Sequence, residues 1–181
     1  MRIYAEIEVR DIDCKLILTK GFEAHSYVLA FLDILSSHFT NTSRTITDTG
    51  GTARTVTAGG LDFRGVLNDS TQGIVVGTGT NAVAIGDTKL QTQVANGSGA
   101  GQMNHQLEEF LAPATSGTTR LYKITRIILN DSGGDITINE CGIYSLTSGF
   151  KFCCVRDLVS PGVTVANLGT ITVRYTIGVT A

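Results

Sequence analysis

Residues Gly77-Thr78-Gly79-Thr80-Asn81-Ala82 follow the apolar run Ile74-Val75-Val76 and carry the spacing G-x-G-x-x-A. That spacing suits a loop whose backbone must come close to a dinucleotide pyrophosphate. The chemistry needs more than glycines: a helix starting near Gly79, a second strand after it, and an acid about twenty residues on for the ribose. The residues after Ala82 read VAIGDTKLQ, β-branched and interrupted by Gly86, a poor helix start. Gly101-Gln102 stand where the acid is needed. The glycines are therefore expected to turn a hairpin, from Ile74-Val75-Val76 through Gly77–Asn81 into Val83-Ala84-Ile85.

Other constellations are incomplete. Asn130-Asp131-Ser132-Gly133-Gly134-Asp135 has the look of a serine-protease nucleophile segment, but such a serine needs a histidine base and an orienting carboxylate. Of His25, His38 and His105, two fall on the expected helix and none has a matching context. Asp131 and Asp135 lack the calcium-loop register and its twelfth-position acid, which leaves adventitious cation binding at most. His105 and Glu109 are four apart, metal spacing on a helix, yet a third ligand is missing. That segment is expected to be a solvated turn with one ion pair. Cys153 and Cys154 are adjacent and would point to opposite faces of a strand, and neither has a histidine or C-x-x-C partner. With Cys14 and Cys141 they read as buried, reduced thiols in a protein made in the cytosol. The sequons at Asn41, Asn68, Asn96 and Asn130 read as turn formers. No catalytic, cofactor-binding or metal residue is assigned, and no enzyme activity is expected.

Elements must now be found to carry these loops. The 181 residues, 42% hydrophobic, suffice for one domain with a core. Only 17% are charged, net −2, so no basic field exists to hold nucleic acid. Twenty-five threonines and 21 glycines fit pleated surfaces joined by tight turns. The N-terminal residues contain no apolar core of signal-peptide length, and YVLAFLDIL, residues 27–35, is too short to span a bilayer.

Strands are expected at residues 2–9, 14–19, 61–67, 73–77, 81–86, 120–129, 135–145, 150–157, 162–166 and 170–179. One helix is expected at 23–38, with Val28, Phe31, Leu32, Leu35 and Phe39 forming its apolar stripe. Tyr27, Leu29 and Ile34 widen that stripe, so the helix should be covered on most sides, plugging the sandwich or packing on a neighbouring subunit. Residues 40–60 fit a long hairpin or a loop equally well, and 87–103 has loop composition. Short strands at intervals of about ten residues predict a mostly β fold: one antiparallel β-sandwich over 1–181, jelly-roll-like, with one α-helix in its N-terminal half.

The block GIVVGTGTNAVAIGDTKLQTQVANGSGAGQM, then ITINECGIY and the closing LGTITVRYTIGV, resembles structural proteins of tailed bacteriophages over residues 73–179. The resemblance implies a β-sandwich that works by assembly, in a capsid-decoration, head-fibre, neck or tail role. It implies a homo-oligomer in contact with capsid, portal, neck or tail proteins, located in the virion after assembly in the host cytoplasm. It brings no catalytic residue, cofactor or membrane partner. A receptor- or carbohydrate-binding sandwich at a fibre tip is the alternative, though the chain has no tryptophan for a sugar platform.

Overall fold

A computed structural model describes residues 2–24, 27–58 and 60–180. The chain begins with β1 (Arg2–Arg10), which alternates Ile3, Ala5, Ile7 and Val9 inward with Tyr4, Glu6 and Glu8 outward. Asp11 closes the turn by accepting the amides of Asp13 and Lys15 on Oδ1. Cys14, at φ 60°, lies inside that turn. The next strand, β2 (Leu16–Ala24), therefore starts two residues later than expected and runs through 21–24, of which the sequence pattern gives 23 and 24 to the helix. Those residues alternate and pair with Ile3–Glu6 of β1, so tertiary pairing overrides local helix preference.

The helix, α1 (Leu29–Thr40), ends at Asn41 in the left-handed conformation. His25, expected on it, lies outside the described residues. Ala30, Phe31, Ile34 and Ser37 are buried. Leu29, Leu32 and Phe39 are exposed, so the expectation of a mostly covered helix fails: only one face meets the sandwich. Within 40–60 the hairpin prevails. The strands β3 (Arg44–Thr47) and β4 (Ala53–Val56) pair around Gly50-Gly51, with Asp48 accepting the Gly50 and Thr52 amides.

Seven further strands complete the fold: β5 (Gly73–Gly77), β6 (Asn104–His105), β7 (Glu109–Ser116), β8 (Thr119–Leu129), β9 (Ile136–Thr147), β10 (Phe150–Val165) and β11 (Thr170–Thr180). One sheet runs β2-β1-β11-β8-β6, with β7 also on β8; the other runs β10-β9-β5. All the pairings between these strands are antiparallel. Ile7, Ile124, Val173 and Tyr175 from the first sheet share one core with Ile74, Ile138, Ile143 and Phe152 from the second. The mostly β, antiparallel sandwich with one helix stands as expected.

Several boundaries differ. Residues 61–67 form no strand, only a bridge from Asp62 to Leu146. Residues 150–157 and 162–166 are one strand, bulged between Leu158 and Val163. Strand β7 is unexpected; its eight residues are all exposed, so burial leaves no period in them. The expected hairpin over 74–85 is wrong. Strand β5 pairs with β9, and residues 81–86 form a loop. Ile74, Val75 and Val76 are buried on both faces, so they need a partner inside the sheet rather than an edge turn.

Candidate functional site

The G-x-G-x-x-A loop is an anion cradle, and the anion is the protein's own. Glu140, fully buried on β9, directs its carboxylate under the loop. Its Oε1 accepts the Gly79 amide at 3.2 Å and the Thr92 amide at 2.8 Å; its Oε2 accepts the Gln91 amide at 3.0 Å and Arg156 Nε at 2.9 Å. A Cβ at Gly77 or Gly79 would lie 2.6 or 2.5 Å from Oε1, so glycine is what admits the carboxylate. Arg156, from β10, also donates to Asp87 Oδ2 at 2.6 Å and to the Asn81 carbonyl at 3.0 Å. Burial opposes its charge, but Asp87 and Glu140 raise the guanidinium's pKa. Tyr144 accepts the Leu90 amide at 2.6 Å and Asn139 donates to the Thr78 carbonyl. Residues 78–92 are thus stapled to β9 and β10 by side chains, which explains how a loop without secondary structure stays ordered. An open cleft of about 410 Å³ beside Arg156 is lined by Asn81, Asp87, Lys89 and Gln91. Arg156 and Glu140 neutralise each other there, leaving no cradle vacant for phosphate.

A second buried polar centre lies beneath β5. Glu108 accepts the Gly65 amide at 2.6 Å and the Ile74 amide. Burial pushes its carboxyl up to about 7, against the opposing pull of those amides and of Arg126. Arg126 is fully buried and makes five hydrogen bonds, to the carbonyls of Gln106, Gln72, Ile74, Val66 and Asp69. Gly73, at φ +74°, would put a Cβ 2.5 Å from Glu108 Oε2. A half-open cavity of about 470 Å³ adjoins, lined by Asp62, Arg64, Val66, Leu107, Glu108 and Phe110. Asp62 is held by Arg64, and both Glu108 oxygens accept backbone amides.

The residues singled out from sequence are dispersed. Ser132 Oγ donates to Asn130 Oδ1 and the Gly134 carbonyl, within its own turn. Asp135 accepts the Asn167 amide. His105 is on β6, not in a solvated turn, and is fully buried with Nδ1 3.0 Å from the Met103 carbonyl. Burial, then the nearby Arg126, lowers its pKa to about 4. Its neighbour Glu109 is exposed on β7; the buried carboxylate is Glu108, one residue earlier. Cys153 and Cys154 are buried in different clusters, as alternation demands, Cys141 is buried 3.2 Å from Tyr175 Oη, and Cys14 is exposed. All four are free thiols. Asn41 and Asn68 are left-handed, and Asn130 bonds the Gly134 and Val165 carbonyls, so these sequons do build turns.

Glu140, Arg156, Glu108 and Arg126 escaped the sequence reading. The available signal was a charge at an inward phase of an apolar strand: Arg126 stands between Ile124 and Ile128, both fully buried. Among the described residues no group of histidine, cysteine, aspartate and glutamate could hold a metal, and no helix is long and apolar enough to cross a membrane.

Several large apolar side chains remain on the outside. Leu16, Ile17 and Leu18 are exposed on edge strand β2, Leu107, Phe110 and Leu111 on and before β7, and Leu29, Leu32, Phe39 and Ile85 around α1. No protein-family model, curated protein or solved structure matches the chain.

Proposed function

We propose that this chain is a non-enzymatic structural protein of a bacteriophage virion, acting by self-assembly and by contact with other virion proteins. The observation that carries the reading is where polarity and apolarity lie. The buried charges are spent on holding loops to sheets, while large apolar side chains are left outside in patches. Such patches mark contact surfaces. The resemblance of residues 73–179 to tailed-phage structural proteins supplies the setting: a subunit beside capsid, portal, neck or tail proteins. Light scattering on the eluting protein, with co-sedimentation on purified phage particles, tests the reading. A species above 19.2 kDa that also binds particles is expected; a strict monomer that binds none refutes it.

A further inference from the structure

The exposed face of α1 has the pattern of a helix seam. Leu29, Leu32, Ser36 and Phe39 follow at intervals of three, four and three, the alternation by which one helix presents knobs to another. Leu29, Leu32 and Phe39 are 54%, 62% and 76% exposed. Ile85, also exposed, stands beside Leu29, whose amide donates to the Ile85 carbonyl at 3.0 Å. Two half-buried charges flank the seam, and neither has an ion-pair partner among the described residues: Asp33, and Arg44, whose Nη2 donates to Ser36 Oγ at 3.1 Å.

We propose that this face is the contact between two copies of the chain, with the helices antiparallel about a twofold axis. The inference rests on the self-assembly reading above and names its surface. An antiparallel register sets Leu29 against the partner's Phe39 and Leu32 against the partner's Ser36. Each large side chain then meets a small one or a shoulder: Leu32 enters the gap over a serine, and Phe39 reaches the ledge that Leu29 and Ile85 build. A parallel pair would stack serine on serine and leave a void. Antiparallel packing also brings Arg44, tethered at Ser36, alongside the partner's Asp33, and the reciprocal pair forms by symmetry.

The other apolar patches are guarded against pairing with another sheet edge. Strand β7 carries Pro113 and a register shift between Leu111 and Ala114, and β2 carries Lys20 on its inward phase. A lipid surface is disfavoured by charge, because α1 contains Asp33 and neither lysine nor arginine.

Sedimentation across a concentration series tests the proposal on wild type, L32E, F39S, D33K and the double swap D33K/R44D. Wild type is expected to dimerise. L32E and F39S should each weaken dimerisation at least about 30-fold. D33K should weaken it about 5-fold, and D33K/R44D should restore it. Circular dichroism should stay unchanged, since these side chains support little of the core. F39S, at the most exposed position, carries the test if L32E disturbs the helix. A wild type monomeric throughout overturns this inference together with the self-assembly reading. An oligomer indifferent to L32E and F39S overturns the α1 contact alone. Dissociation by L32E without rescue by the double swap overturns the antiparallel register.

Discussion

Replacing Glu140 by glutamine keeps the side chain's size and removes only its capacity to accept on both oxygens. The native carboxylate receives four donors, two on each oxygen: Gly79 and Thr92 amides on Oε1, the Gln91 amide and Arg156 Nε on Oε2. Whichever way the new amide turns, its NH₂ group faces two buried donors that then lack an acceptor. Each such orphan costs about 1–3 kcal/mol, and more when charged. Breaking a buried ion pair from one side costs about 3–5 kcal/mol in all. Relaxation of the partly exposed loop trims the sum, so about 3 kcal/mol is expected for Glu140→Gln. For a chain of this size that lowers Tm by about 9 °C. Asp87→Asn is the internal control: that carboxylate is 24% exposed and bonds the same arginine, so its loss should cost about 1 kcal/mol. Urea titrations read both numbers, and hydrogen exchange locates the damage. The Gly79, Gln91 and Thr92 amides should exchange faster in Glu140→Gln. A loss below about 1 kcal/mol, or unchanged exchange at those three amides, would refute the internal-cradle account.

Other outcomes follow from the same geometry. Gly79→Ala places a Cβ 2.5 Å from Glu140 Oε1 and 2.6 Å from Gln91 Cβ, and should cost about 1–3 kcal/mol in a urea titration. Gly86→Ala, with nothing within 4 Å, should stay within about 0.5 kcal/mol of wild type. His105 and Glu108 oppose one another in pH dependence. His105, lowered to about 4, stabilises the fold above its ordinary value near 6.5 and loses that contribution as pH falls through 4. Glu108, raised to about 7, stabilises the fold below its ordinary value near 4.5 and loses that contribution as pH rises through 7. Each is worth about 3 kcal/mol, so wild-type stability should be nearly flat between these limits. Glu108→Gln should uncover the histidine and make stability fall steeply on acidification; a flat profile in that variant would contradict the assignment. Maleimide should label one thiol per native chain, Cys14, and four after unfolding, because Cys141, Cys153 and Cys154 are buried and burial raises their pKa.

Strands with a one-sided burial pattern were legible in the sequence. In β11, Ile171, Val173 and Tyr175 are buried while the intervening Arg174 is half-exposed, and the alternation reads directly from residue type. Strand β7 was illegible because nothing in it is buried, and it exists by borrowing backbone hydrogen bonds from β8. Residues 23 and 24 belong to β2 and not to the helix, because Glu23-Ala24 has no local preference strong enough to resist pairing with Ile3 and Tyr4 of β1. The loop 78–92 was illegible for a third reason: its order comes from Glu140, Tyr144 and Arg156, some fifty to seventy-five residues distant along the chain.

The glycine motif shows why such spacing is ambiguous in kind. A G-x-G loop reports that something must approach the backbone closely, and that an acceptor can be held there by amide groups. It does not report whether the acceptor arrives from solution or from a neighbouring strand. The distinguishing feature lies elsewhere in the chain, in a buried acid on one strand with a buried basic residue on the strand beside it. Glu140 and Arg156 meet that condition across the β9–β10 hairpin, near the paired positions Cys141 and Asp157. A nucleotide loop leaves its cradle empty for a phosphate and charges it positively. Here the cradle's positive groups are already neutralised by Glu140 and Asp87, and the motif's work is to hold a wall of the sandwich in place. The loop held by the cradle includes Ile85, whose carbonyl accepts the Leu29 amide, so the buried cradle and the face proposed for self-contact share one segment.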